Sequence, residues 1–201
     1  MEFDAVIRRR RMHRSFSSEP VATADVLALC ESALRAPSAG FTQGTELVVI
    51  VDPDRIQAIL AIISTPGWLR NSPTHQGLLQ SQLLILPIVN KPAYLARYAE
   101  PDKASSGLDV EEAWPQPYWI VDASFATMQL LLKVVDLGLG ATFMGIYHGH
   151  DQLAKALALP PGLDPLGIVC VGHPTKTDAP TGSVARRPPR ATSTRLHFEH
   201  W

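Results

Sequence analysis

Apolar and polar positions along the chain alternate between two periods, and the switches mark the elements. Residues 2–11 (EFDAVIRRRR) place Phe3, Val6 and Ile7 on one side and predict a short helix. Residues 24–36 (ADVLALCESALRA) repeat the helical period, with Thr23 as an expected N-cap and Pro37 as a stop. Glu46–Val51 (ELVVIV) reads as a strand, and Asp52-Pro53 opens a third helix, DRIQAILAII. Residues 83–89 (LLILPIV) form a continuous apolar run expected of a buried strand, against which Pro87 counts mildly. Residues 91–118 are polar and carry Pro92, Pro101, Pro115 and Pro117, so a long loop or lid is expected there. From Ile120 to Leu137 the apolar positions run all round a helix, which predicts a buried one ending at Gly138 and Gly140. ATFMGI then reads as a strand, 151–158 as a short helix stopped by Pro160-Pro161, and Leu166–Val171 as a last core strand. From Thr175 the chain is rich in Pro, Thr, Ser and Arg and reads as an extended arm. Alternating helices with few strands predict an α+β or α/β fold, a mixed sheet flanked by helices.

The 201 residues suit one domain, 1–174, with 175–201 as its arm. The composition is 46% hydrophobic and 18% charged, which excludes wholesale disorder. Cys30 and Cys170 are the two cysteines, so no disulfide framework is expected and a reducing cytoplasm is the simplest compartment. MEFDAVIRRRRM has no apolar stretch of signal-peptide type, and the run Leu83–Val89 is too short to span a bilayer, so no membrane association is expected.

The net charge of −1 hides an asymmetry. Arg8, Arg9, Arg10, Arg11 and Arg14 crowd one cluster, and Arg186, Arg187, Arg190 and Arg195 another. Arginine suits a bidentate grip on phosphate or carboxylate. On a continued helix, Arg10 and Arg14 would share a face with Arg11 beside them, a phosphate cradle in form. A solvated basic face explains the same residues. The acidic remainder argues against nucleic acid as a partner.

Two further segments bear on chemistry. Ala36 to Gly44 (APSAGFTQG) joins a helix to a strand, with small residues that admit a ligand to the backbone and Ser38 and Gln43 as hydrogen-bonding groups. An ordinary turn has the same composition. Gly138 to Gly145 (GLGATFMG) follows a helix, the wrong order for a dinucleotide fingerprint. His148 and His150 lack a third ligand at a recognised spacing, so no metal site is expected. Cys30 and Cys170 read as inert core thiols.

In this order the segments resemble the nitroreductase family. RRMHRSFSSEPV is similar to the family's R-R-S-x-R-x-F…P-V opening. RAPSAGFTQGTELVVI resembles A-P-S-x-x-N-x-Q-P-W and the strand after it. DASFATMQLLLKVVDLGLGATFMGI resembles the long core helix, G-L-G and strand, and LPPGLDPLGIVCVGHP the closing segment. ARRPP, His200-Trp201 and KPAYLARYAEPDK through WPQPYW resemble an actinobacterial-type branch. The resemblance implies an α+β fold with a mixed, mainly antiparallel sheet, a long buried core helix and a C-terminal arm wrapping a homodimer partner. It implies an oxidoreductase holding FMN, reduced by NAD(P)H. Hydride would pass ping-pong through flavin N5 to a nitroaromatic, quinone or similar small acceptor, so no side chain is expected to be catalytic in its own right.

Carried over by residue, the resemblance assigns Arg10, Arg14, Arg11 and the Met12 backbone to the FMN phosphate, with Arg186 or Arg187 reaching back from the tail. It assigns Pro37, Ser38, Ala39, Gly40, Phe41 and Gln43, with Met144 and Gly145, to the ribityl chain and ring. Phe41, Tyr118, Trp119 and Phe143 are the candidate walls of the substrate slot, although Tyr118 and Trp119 also suit a core. The chain departs from the family pattern at Met12 for Ser, Phe41 for Asn and Gly44-Thr45 for Pro-Trp. A flavin-sequestering protein without turnover and a deazaflavin-using relative are the alternative expectations.

Overall fold

The computed structural model describes residues 1–71, 73–176, 178 and 183–201. In chain order the helices are α1 (Phe3–Arg9), α2 (Thr23–Leu34), α3 (Pro53–Ile62), α4 (Pro66–Asn71), α5 (Pro73–Leu78), α6 (Lys91–Tyr98), α7 (Tyr118–Asp136), α8 (His150–Ala156) and α9 (Ser183–Arg186). The strands are β1 (Thr45–Ile50), β2 (Leu83–Asn90), β3 (Gly140–Met144), β4 (Leu163–Pro165) and β5 (Ile168–Gly172). They form one sheet ordered β1-β2-β5-β3, with β4 pairing to β2. Every pairing between named strands is antiparallel. The parallel element is a single bridge, Met12 with Ala141, at the outer edge of β3.

The period of two in β2 explains why it is apolar throughout. Leu83 and Ile85 point to the layer of α2 and α7, where they meet Leu29, Ala126, Leu130 and Val134. Leu84, Leu86 and Ile88 point the other way, to Ile56, Ile59, Leu60 and Leu153 of α3 and α8. Strand β5 divides likewise, Val169 and Val171 on the first face and Ile168 and Cys170 on the second. An antiparallel sheet covered on both faces needs apolar residues at every position of its central strands.

Pro87 fits β2 because of where its partners lie. On one side β2 pairs with β5 through Leu83–Ile85 and with β4 from Ile88 on. Pro87 falls in the gap between those partners, where its carbonyl accepts from Leu166 N–H at 2.9 Å. A missing N–H costs little in that gap.

Several expectations need correction. Helix α1 stops at Arg9, because Arg10 (φ −58, ψ 117) turns extended and sends Met12 alongside Ala141. Arg10 and Arg14 therefore do not share a helical face. Only Val6 of α1 is buried. The N-cap of α2 is Ala22 and not Thr23. The expected loop 91–118 contains α6 and two short 3-10 turns, with Asn90 capping α6 by accepting from Ala93 N–H. The prolines there punctuate helical turns: Pro92 sits in the first turn of α6, where its missing N–H is not needed. Helix α7 starts two residues early, and its apolar residues are not all covered: Ile120, Phe125 and Met128 are 43%, 50% and 49% exposed. By length and composition α7 is apolar enough to cross a membrane, yet eight of its residues lie in the core. Gly138 caps it at φ 77, a left-handed position glycine takes without strain, whereas Gly140 begins β3. Strand β4 and helices α4 and α5 have no counterpart in the expected pattern.

Leu130 joins α7 to the sheet and is fully buried. Leu130→Ala is expected to lower the unfolding free energy by about 2–5 kcal/mol, read from urea denaturation at constant slope.

Candidate functional site

The basic segment lies along the edge strand β3. His13 N–H donates to the Ala141 carbonyl at 2.8 Å, which continues the Met12 bridge, and the imidazole of His13 packs over Gly140. The chain then turns away: Phe16 bridges Pro174, and Ser17 N–H donates to the His173 carbonyl at 2.9 Å. Helix α5 rests on the turn, where a Cβ on Gly77 would collide with the Arg14 carbonyl. Arg10 and Arg14 are half-buried and Arg11 is exposed.

An unforeseen acid organises this segment. Asp178 accepts from Arg14 N–H at 3.1 Å and lies 2.7 Å from His13 Nδ1 and 3.5 Å from Arg11 Nη1. Arg11 Nη1 also donates to the Asp178 carbonyl at 2.8 Å. The Asp178 side chain is 7% exposed. Burial, and secondarily the Arg11 charge, hold the His13 pKa below its ordinary 6.5 against the opposing pull of Asp178. Nothing in the sequence pattern marks Asp178, because it lies in a polar tail far from its partners.

At the far end of β3, Phe143, Met144 and Gly145 line a cavity of about 490 Å³ with Trp68, Tyr147 and His148. Ring edges and thioether make its wall mainly apolar. The close approach of β5 allows only glycine at position 167, since a Cβ there would strike the Phe143 ring. The basic segment and this cavity thus lie along the same edge strand of the sheet.

The APSAGFTQG loop is elsewhere. Pro37, Ser38 and Gln43 line a second cavity of about 520 Å³ with Cys30, Glu46 and Leu47, against the opposite edge strand β1. The loop is a 3-10 turn over Ala39–Phe41 with left-handed backbone at Gly40 (φ 61), Phe41 (φ 55) and Gln43 (φ 54). The two non-glycine positions cost roughly 1–3 kcal/mol each and persist only where their surroundings over-determine them. Here they do. Asp122 Oδ2 accepts from Ala39 N–H at 2.8 Å, Ser38 Oγ from Gln43 N–H at 2.8 Å, and Arg97 Nε donates to the Gly40 carbonyl at 3.0 Å. The Tyr98 ring fills the space where a Gly40 Cβ would lie. Phe41 is left 76% exposed at the tip and lines neither cavity.

Of the remaining candidates, Trp119 is 7% exposed and belongs to an aromatic cluster with Tyr94 and Trp114. Tyr118 tilts against Trp114 at 5.9 Å between centroids. Neither is among the residues lining the two cavities described above, whereas Phe143 lines the first. Arg186 and Arg187 are exposed at the end of α9. The residues that sequence reasoning missed are Asp122, Tyr94, Arg97 and Asp178. A lone Asp in an otherwise apolar helical face was the available signal for the first.

The model of the Nitroreductase family matches residues 7–173. A candidate NADH dehydrogenase/NAD(P)H nitroreductase of Archaeoglobus fulgidus is 23% identical over 199 residues, 98% of this chain and 97% of that protein. The FMN reductase [NAD(P)H] of Bacillus subtilis is 26% identical over 84% of this chain and 64% of its own length. Among solved structures, a nitroreductase family protein of Clostridium difficile 630 superposes with a TM-score of 0.72 at 20% identity, covering 100% of both chains.

The depressed His13 pKa has a sign that can be tested. The fold favours neutral imidazole, so its contribution is complete above pH 6.5 and declines as the pH falls below that value. His13→Asn is expected to flatten the loss of unfolding free energy on the acid side of pH 6.5, measured by denaturation at a series of pH values.

Proposed function

The chain belongs to the nitroreductase family and is an oxidoreductase, and on that footing we propose that it uses FMN and NAD(P)H to reduce a small acceptor such as a nitroaromatic or quinone. The relatives named as NAD(P)H nitroreductase and FMN reductase support this reading. The observation that carries it is the grouping on one sheet edge of an arginine segment with a cavity whose wall is aromatic and thioether. That donor set fits a phosphorylated flavin: guanidiniums for a dianion, an apolar slot for a ring.

Bound flavin would supply a ring that takes up hydride from NAD(P)H and passes it on; the side chains hold it in place and keep water out. Arg10 and Arg14, half-buried beside β3, would grip the phosphate, with Arg11 or a tail arginine, Arg186 or Arg187, beside them. Phe143 and Met144 would wall the ring, and Gly145, with no side chain, would let it approach the backbone. Among the described residues, the ionisable side chains lining the slot are Tyr147 and His148.

We further propose that two copies complete each site. Strands β1 and β3 are the two outer strands of the order β1-β2-β5-β3, three inter-strand spacings or roughly 14 Å apart. The loop Pro37–Gln43 and the slot at Met144-Gly145 therefore cannot both touch one ring within a single chain. Ile120, Phe125 and Met128 on α7, Leu27 and Leu34 on α2 and Val49 on β1 are exposed apolar side chains on the elements next to the loop. A second copy seated there would bring Phe41 of one chain to the slot of the other, where Phe41 in place of a polar residue favours flat apolar acceptors.

Two outcomes are expected in the spectrophotometer. The protein incubated with FMN shows bound-flavin bands that bleach on adding NADPH or NADH without oxygen. Arg10→Ala/Arg14→Ala loses at least about 100-fold in FMN affinity, consistent with removing two charge-assisted contacts. Bands that persist with both nicotinamides would instead favour flavin storage or a deazaflavin donor, and full flavin in the double variant would remove the phosphate assignment.

A further inference from the structure

We propose that Asp122 is a positioning residue for the flavin-facing loop: its buried carboxylate, held between the Ala39 N–H and the Tyr94 hydroxyl, sets the left-handed turn that presents Ser38, Phe41 and Gln43. The proposal rests on the reading of that loop as half of the flavin site.

Asp122 lies near the start of α7 and is 3% exposed. A carboxylate there takes the place of an apolar side chain between the buried Trp119 and Ala126. Among the described residues no cation pairs with it; its partners are two neutral donors, each 2.8 Å from Oδ2. A carboxyl group buried against only neutral donors is a costly choice for packing alone, where an apolar side chain would serve better. The cost is matched by a specific effect. Oδ2 fixes the plane of the Ser38–Ala39 peptide, while Arg97 Nε fixes the Gly40 carbonyl from α6. Both ends of the Ala39-Gly40 pair are thereby clamped from two different elements. The residues that follow, Phe41 and Gln43, then take positive φ values that their own side chains disfavour.

Tyr94 completes the device. Its ring is fully buried, packs edge-on to Trp114 and Trp119, and lies where a Cβ on Gly44 would strike it. Burial, then the Asp122 hydrogen bond and charge, push its hydroxyl well above the usual tyrosine range, so it stays a donor at any working pH. Within residues 91–118, expected from sequence to be a long loop or lid, Tyr94, Arg97 and Tyr98 instead buttress the loop.

The test compares Asp122→Leu, Asp122→Asn and Tyr94→Phe with the unaltered chain by two readouts. The first is FMN affinity from quenching of flavin fluorescence, with the visible circular dichroism of the bound flavin. The second is hydrogen exchange of the Ala39 and Gln43 amides in flavin-free protein. Asp122→Leu is expected to lose amide protection at Ala39, about tenfold in FMN affinity, and the native dichroic bands. Asp122→Asn keeps an acceptor oxygen and is expected to recover both to within about threefold. Tyr94→Phe, which removes one hydroxyl and keeps the ring, serves if the leucine variant does not fold; faster Ala39 exchange and about threefold weaker FMN binding are expected. Unchanged exchange, affinity and dichroism in a folded Asp122→Leu or in Tyr94→Phe would overturn the proposal. A wild-type chain that takes up no FMN would overturn the cofactor reading instead, and the exchange readout would still decide whether Asp122 shapes the loop.

Discussion

A sheet covered by helices on both faces leaves binding only to its edges and its rim, and that constraint governs this molecule. Leu83 and Ile85 face α2 and α7, while Leu84, Leu86 and Ile88 face α3 and α8, so β2 and β5 carry the core and nothing else. The chemistry-bearing segments are displaced outward. The arginine segment joins the edge of β3 through the Met12 bridge, and the small-residue loop leads into β1 at the other edge. The layered core thus holds these two segments at opposite edges of the sheet as a direct consequence of its stability.

Each segment is held by polar contacts that reach across long stretches of chain. Asp178 gathers Arg11, His13 and the Arg14 backbone at one edge, and Asp122, Tyr94 and Arg97 gather the loop at the other. These are buried or half-buried acids, and each replaces water around backbone groups that a loop would otherwise leave unpaired. Strain at Phe41 and Gln43 persists because several independent bonds agree on one conformation. In the proposed pairing, the exposed face of α7 and the exposed Phe41 are what a second copy would cover.

The layered fold was legible because its signal is periodic. The runs at 46–51, 83–89 and 166–171, and the long helix near 120–137, all fell within a few residues of β1, β2, β5 and α7. Segment order allowed the family to be read from spaced motifs, and the family match spans the same stretch. What the pattern could not carry was long-range pairing. Arg10 leaves its helix because Met12 finds a partner at Ala141, more than a hundred residues away, and local propensity holds no trace of that. Residues 91–118 read as a loop because prolines generally break regular structure, whereas Pro92 sits in a helical first turn. Trp119 suited either a slot wall or a core aromatic in the sequence, and its burial and its ring contacts with Tyr94 and Trp114 are those of a core aromatic.

The claim on which the functional account turns is that one flavin site draws on two chains. It is tested by co-expressing two defective chains, Arg10→Ala/Arg14→Ala and Ser38→Leu/Gln43→Leu, and measuring flavin bound per chain. In a mixed pair, one site receives both defects and the other receives none. With random pairing, shared sites therefore recover about a quarter of the wild-type flavin, although each variant alone binds almost none. A mixture that binds no more than its components would contradict the account and assign each site to a single chain.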